Sequence, residues 1–275
     1  MTDGTLSKAK IVFLGAGNMA EALVKGMLQA RICSAGNLWV TDVLVDRTNY
    51  FHAAYGVSGS NDSRTVVHDA NLVVLSVKPQ VIGDVLEEVK DVLNKDAAVI
   101  SIAAGTSTAR IEDALGDSPR VVRVMPNTPA LVGQGAAAVC GGRWATPDDL
   151  RVAEAMMSAV GLAVRVDEKD MDAVTALSGS GPAYVFYLVE AMLAAAATLG
   201  LEESMAKDLV YKTVMGAAEL LIESDDGPAV LRQRVTSKGG TTAAALAVLN
   251  QGRVADAVVE AIEAAWARSR ELSGD

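Results

Sequence analysis

The chain has little of what several common chemistries require. Among its 275 residues are two cysteines, Cys33 and Cys140, and two histidines, His52 and His68. One disulfide is the arithmetic limit. That excludes a disulfide-dense secreted scaffold and makes two buried thiols the expectation. No His/Cys cluster has metal-ligand spacing, so no metal site is expected. Neither histidine stands beside an evident nucleophile, as a Ser-His-Asp triad would need. Cations are in deficit too, with 24 Lys and Arg against 34 Asp and Glu and a net charge of −10. A sequence-independent grip on nucleic acid needs clustered cations, so nucleic acid is not an expected partner. No membrane is expected either. The opening MTDGTLSKAK lacks the apolar core of a secretory signal. The longest apolar stretch, residues 184–201, is interrupted by Glu190 and diluted by alanine, which suits a buried or interfacial helix. The expected location is the cytoplasm.

What is present is globular: 51% of residues are apolar and 21% charged, and the length suits two domains. From Lys10 to Val166, short apolar runs alternate with amphipathic stretches. The runs cover residues 11–14, 38–40, 72–77, 98–102 and 121–124 and are rich in β-branched side chains, as in a parallel sheet covered on both faces. Between the first two, residues 18–30 place Met19, Leu23, Met27 and Leu28 on one helical face. Alternation of this kind predicts an α/β fold with a doubly wound, Rossmann-like sheet over residues 1–166. Beyond Val166 the strand-like runs stop. Residues 184–199, 206–222 and 254–271 carry apolar side chains at helical spacing, so residues 167–275 are predicted all-helical. Their alanine-rich apolar faces exceed what one small core needs, which points to burial against a second subunit.

Gly15-Ala16-Gly17-Asn18-Met19-Ala20 follows the first predicted strand and opens the first helix, the context a dinucleotide fingerprint requires. Gly15 permits the tight turn, Gly17 admits the pyrophosphate, and Ala20 is small enough for the helix to pack on the strand. Free N–H groups at the helix start then face the anion. Asp42 ends the next strand, where an acid holds the adenosine ribose and favours NAD. Arg47 and Arg64 lie near enough in sequence to offer a cation to the 2′-phosphate of NADP instead, so both dinucleotides remain open. The loops Ser76-Val77-Lys78-Pro79 and Ile102-Ala103-Ala104-Gly105 leave strand ends where ligands of open α/β sheets sit. Met125-Pro126-Asn127-Thr128-Pro129, stiffened by two prolines, suits one wall of a pocket. In the helical half, Val235-Thr236-Ser237-Lys238-Gly239-Gly240-Thr241-Thr242 precedes an apolar helix beginning near Thr242. Two glycines, hydroxyls and fresh helical N–H groups make an anion nest sized for a carboxylate.

The sequence resembles pyrroline-5-carboxylate reductases over essentially its whole length. The resemblance rests on FLGAGNMAEAL, SVKPQ, MPNTPA, ALSGSGPAY around Pro182, and VTSKGGTTAAAL; the last two, in this order, are specific to that family. It implies reduction of 1-pyrroline-5-carboxylate to L-proline, the last step of proline biosynthesis, with NADPH or NADH. It further implies a dinucleotide along Leu14, Gly15, Ala16, Gly17, Asn18 and Met19, flanked by Ser76, Val77, Lys78 and Pro79 and by Ile102, Ala103 and Ala104. The substrate carboxylate would rest on Ser237, Gly240 and Thr241, with Thr242 bonded to the ring nitrogen and Glu168 and Arg234 bordering the pocket. The implied assembly is a domain-swapped homodimer, often gathered five to a ring. Lys238 departs from the family, which usually has proline there; lysine restores a backbone N–H and adds a cation near the carboxylate.

Such chemistry asks little of acid–base side chains. A protonated cyclic imine accepts hydride if the reacting atoms are held close and aligned. A β-hydroxyacid dehydrogenase shares the two-domain plan but needs a catalytic lysine on the first helices of the second domain, and none lies between Asp170 and Met205. A non-catalytic dinucleotide sensor would keep GAGNMA but has no use for the Ser-x-Gly-Gly-Thr-Thr nest.

Overall fold

Every residue of the first strand is apolar because the sheet is covered on both faces. In a computed structural model, which describes residues 6–273, β1 (Ile11–Leu14) is wholly buried. Ile11 and Phe13 enter one hydrophobic cluster, Val12 and Leu14 another. The same division recurs in β4 (Leu72–Leu75), with Leu72 and Val74 on one side and Val73 and Leu75 on the other. Alternate side chains of a strand point to opposite faces, so two-sided burial demands unbroken apolar runs.

Around these strands the order of elements is β1, α1 (Asn18–Gln29), β2 (Leu38–Thr41), α2 (Val45–Tyr55), β3 (Ser58–Ser60), α3 (Arg64–Val67), β4, α4 (Ile82–Val89), β5 (Ala98–Ser101), α5 (Thr108–Leu115), β6 (Arg120–Met125), β7 (Gly135–Gly141), α6 (Pro147–Ser158) and β8 (Gly161–Arg165). They build an eight-stranded sheet in the order β3-β2-β1-β4-β5-β6-β7-β8. Pairing is parallel from β3 through β6, β7 runs antiparallel to β6, and β8 is parallel to β7. The strand order reverses between β1 and β4, which creates the switch point where open α/β sheets bind ligands.

Some boundaries differ from the sequence reading. The predicted runs 72–77 and 98–102 overshoot: β4 ends at Leu75 and β5 at Ser101, so Ser76 and Ile102 already belong to loops. β3, β7 and β8 have no counterpart in the predicted runs. β3 reads SGS and β7 reads GAAAVCG, compositions of low strand propensity that become strands through pairing with their neighbours.

The chain divides into two compact units, one of residues 6–180 with 265–273 and the other Gly181–Ala264. After β8, the first unit continues through α7 (Met171–Val174) and a single π-helical turn, Thr175–Gly179. The second holds α8 (Gly181–Thr198), α9 (Glu203–Glu223), α10 (Pro228–Arg234), α11 (Thr241–Gln251) and the start of α12 (Val254–Ser273). α8 packs on α9 through small residues, with Ala196, Ala206 and Val210 buried. Many large apolar side chains of these two helices are exposed, including Tyr187 of α8 at 77% and Ile222 of α9 at 84%. By length and composition, the helical stretch Glu168–Thr198 is also capable of crossing a membrane, and only 6% of its most apolar window is buried in this single chain.

Candidate active site

The switch point brings the first glycine loop against the loop that follows β4. The Gly15 N–H donates to Thr41 O across β2 at 2.9 Å, and Gly15 takes φ of +102°. A side chain there would meet Ser76 O at 2.8 Å and Val77 Cγ1 at 2.9 Å. Ser76 Oγ in turn donates to Gly15 O at 2.6 Å or to Leu14 O at 3.0 Å. The loop is thus pinned from both neighbouring strands, and Gly15 is glycine for the sake of the fold.

Gly17 differs. It caps α1 with φ of −79°, an ordinary value, and nothing lies within 4 Å of a Cβ built there. No side chain caps this helix start, so its first N–H groups face the same open space. A small residue with room before it, at an uncapped N-terminus, is the cradle a pyrophosphate needs. The residues present therefore fit a dinucleotide.

Asp42 follows directly on β2. Its carboxylate accepts from the Ala16 N–H at 2.9 Å and from the Leu44 N–H at 3.0 Å, joining the glycine loop to the turn after β2. Both arginines considered for a 2′-phosphate are engaged elsewhere. Arg47 donates through Nε to Ala16 O at 2.8 Å and pairs with Glu21 at 3.1 Å. Its guanidinium lies over the Tyr50 ring, 5.1 Å from the centroid. Arg64 donates to Glu88 O at 2.5 Å. Glu21 also accepts from the Tyr50 and Tyr55 hydroxyls at 2.7 and 2.9 Å. Partial burial would raise the Glu21 carboxyl, but these hydroxyls and Arg47 together hold it below the usual range. The sequence reading did not find this cluster, whose other members lie 26 to 34 residues from Glu21.

The far side of the sheet carries a second network. Arg123 on β6 is 3% exposed and pairs with Glu168 at 2.8 Å. Its other terminal nitrogen, buried without a hydrogen bond, stands 3.9 Å from Asp172. Glu168 also accepts from the Cys140 thiol at 3.0 Å and from the Thr108 N–H at 3.2 Å. Burial works against its ionisation, but the Cys140, Arg123 and Thr108 donors prevail and lower its pKa. Burial and the neighbouring carboxylate push the Cys140 thiol strongly up, so it is an inert core thiol. Asp172 accepts from Ser269 Oγ at 2.6 Å and Ser273 Oγ at 3.0 Å, fastening the end of α12. Nearby, Asn127 of the two-proline loop donates to Ser178 O at 3.2 Å and accepts from the Ala136 N–H at 2.8 Å. The signal for this network was Arg123, a charge inside an otherwise apolar run.

In the second unit Gly240 caps α11 without a side-chain partner, and its N–H donates to Ser237 O at 3.1 Å. A Cβ on Gly240 would lie 2.3 Å from Ser237 Oγ. The hydroxyl of Ser237 is thereby gathered beside the helix start that begins at Thr241, with Thr242 one residue on. Arg234 pairs with Asp226. Glu168 and Arg234 belong to different units. No group of three or more His, Cys, Asp or Glu side chains among the described residues could hold a metal.

A doubly wound sheet with a glycine loop at its switch point defines a Rossmann-type dinucleotide-binding protein. Residues 10–105 match the family described as "NADP oxidoreductase coenzyme F420-dependent", and residues 168–272 match "Pyrroline-5-carboxylate reductase dimerisation". A pyrroline-5-carboxylate reductase of Methanosarcina acetivorans is 40% identical over 97% of this chain and 99% of its own. The Arabidopsis thaliana enzyme of that name is 39% identical over 96% and 95%. The solved structure of the Coxiella burnetii pyrroline-5-carboxylate reductase superposes with a TM-score of 0.89, at 40% identity over 96% of this chain and 98% of that one. Pyrroline carboxylate reductase of Plasmodium falciparum, solved with NADP bound, has a TM-score of 0.89 at 30% identity over 98% and 99%. The chain belongs to the pyrroline-5-carboxylate reductase family. Its helical segment falls within the family's dimerisation region, which accounts for the exposed apolar faces: the protein is a homo-oligomer.

Proposed function

We propose that the protein reduces 1-pyrroline-5-carboxylate to L-proline, the closing step of proline biosynthesis, with NADPH or NADH. The observation that carries this reading is the pairing, in one chain of this family, of an open glycine cradle at Gly17 with the uncapped, hydroxyl-rich helix start at Gly240. When bound, the reduced nicotinamide supplies the hydride. Leu14, Gly15, Ala16, Gly17, Asn18 and Met19 hold the dinucleotide backbone, Asp42 faces its ribose, and Ser76–Pro79 and residues 102–104 flank it.

The substrate carboxylate rests on the Ser237 hydroxyl and the Thr241 N–H, beside the backbone of Gly240, whose own N–H closes the turn onto Ser237 O, where the start of α11 offers donors without intrahelical partners. Thr242 directs the ring nitrogen as a hydrogen-bond partner. Glu168, held ionised by Arg123, acts as fixed negative charge and not as a source of protons near neutral pH. Residues 167–275 form the substrate-binding and dimerisation domain. The assembly is a homodimer, gathered as five dimers in a ring, working in the cytoplasm.

Steady-state oxidation of NADPH and of NADH with pyrroline-5-carboxylate tests the proposal. Turnover is expected with this substrate, and no reduction of NADP+ or NAD+ is expected with β-hydroxyacids. Activity only on β-hydroxyacids would move the protein to the dehydrogenase reading, and cofactor binding without turnover would make it a sensor.

A further inference from the structure

Resting on the dinucleotide reading above, we propose that the rim at the end of β2 ranks NADH above NADPH, through Asp42 and the lack of an available cation beside it. The two dinucleotides differ by one phosphate on the adenosine ribose, a group carrying about −1.5 to −2 charge near neutral pH. In this fold the ribose reaches the carboxyl end of the second strand, here Thr41 and Asp42.

The Asp42 carboxylate is fixed by its two backbone donors, the Ala16 and Leu44 N–H groups. A carboxylate has about four acceptor sites, so it retains lone pairs for ribose hydroxyls. A 2′-phosphate replaces the donating 2′-hydroxyl with a group of like charge. Discrimination in favour of the phosphate would need a free cation on the same rim. The residues that follow Asp42 are Val43, Leu44, Val45 and Asp46, and Val43 is 91% exposed with no charge to present. Asn61 donates to Asp42 O at 2.6 Å, which brings the next turn alongside, and that turn contributes Asp62. Arg47 spends its Nε on Ala16 O, its NH2 on Glu21 and its face on Tyr50. Arg64 turns away to Glu88 O on α4. Asp42, Asp46 and Asp62 therefore outnumber the cations of this rim, and both arginines are committed.

The test is equilibrium binding to the cofactor-free protein, by nicotinamide fluorescence or calorimetry, with NADH and NADPH titrated separately. NADH should bind at least about tenfold more tightly, the low end for one charged hydrogen bond gained or lost. Val43→Arg adds a cation at a position too exposed to disturb folding. It should tighten NADPH by about tenfold and leave NADH within about twofold, and combined with Asp42→Asn it should invert the ranking. NADPH binding as tightly as NADH to the unaltered chain would overturn the ranking while leaving the reductase reading intact. Val43→Arg without effect on NADPH would overturn the assignment of selectivity to this rim. Binding of neither dinucleotide would remove the Rossmann reading and this inference together.

Discussion

Gly15 and Gly17 stand two residues apart in one loop, and the structure gives them opposite reasons for being glycine. Substituting both separates fold from ligand. In Gly15→Ala the new Cβ enters a backbone with φ of +102° and meets Ser76 O at 2.8 Å. Left-handed strain of this kind costs about 1–3 kcal/mol and overpacking a similar amount, so a loss of about 2–4 kcal/mol is expected. For a chain of this size that lowers Tm by roughly 5–15 °C. In Gly17→Val the backbone, at φ of −79°, is compatible with any residue, and no atom lies within 4 Å of the new Cβ. The cost to the fold is that of a poorer N-cap, about 1 kcal/mol, or roughly 2–4 °C. The valine instead fills the space before the helix N-terminus. Losing two hydrogen bonds to charged phosphate oxygens, at roughly 1.5–3 kcal/mol each, weakens dinucleotide binding at least about a hundredfold. Thermal melts beside fluorescence titrations of the two variants are the assay. If Gly17→Val bound the dinucleotide as the unaltered chain does, or Gly15→Ala melted at the unaltered temperature, the division of labour argued from this loop would be wrong.

Further outcomes follow from the same geometry. Thr242→Ala should lower kcat/KM for pyrroline-5-carboxylate by about ten- to a hundredfold, the worth of a hydrogen bond to a charged group, with cofactor affinity nearly intact. Ser237→Ala should act mainly through KM, because a carboxylate contact is made equally in ground and transition states; steady-state kinetics distinguishes the two. Glu168 has its pKa lowered in the folded protein, so its contribution to stability is present above the unfolded value of about 4.3 and is lost as pH falls through the folded one. Urea unfolding across that acid range should show this loss, and Glu168→Gln should flatten the dependence; an unchanged slope would count against the Arg123 pairing. Tyr187→Glu, at a side chain 77% exposed in the single chain, should dissociate the oligomer by burying a charge at the interface. Light scattering of this variant at low micromolar concentration reads the outcome, and an unchanged mass would place the interface elsewhere.

The sequence carries the buried parallel strands β1, β2, β4, β5 and β6 openly, because two-sided burial forces runs such as IVFL and LVVL, whereas the parallel edge strand β3, SGS, has no such run. The glycine loop is equally open, since its function depends on local turn chemistry. The antiparallel strand β7 is not, because its alanines and glycines have no strand preference of their own and are held by β6 and β8. Nor could sequence tell what Arg47 would do. Whether that guanidinium reaches a ligand or its own loop depends on Glu21, Tyr50 and Tyr55 converging from two helices and the end of one of them, a tertiary fact.

The same distinction governs Glu168. Residue matching alone makes it a pocket carboxylate, equally free to give or take a proton. The structure adds Arg123, the Cys140 thiol and the Thr108 N–H, all donors aimed at one carboxylate. Donors of that number stabilise the ionised form. The network also reaches Asp172 and through it Ser269 and Ser273 near the end of α12. Protonating a carboxylate so committed would weaken its pairing with the buried Arg123. Near neutral pH Glu168 is therefore a fixed negative charge and not a source of protons.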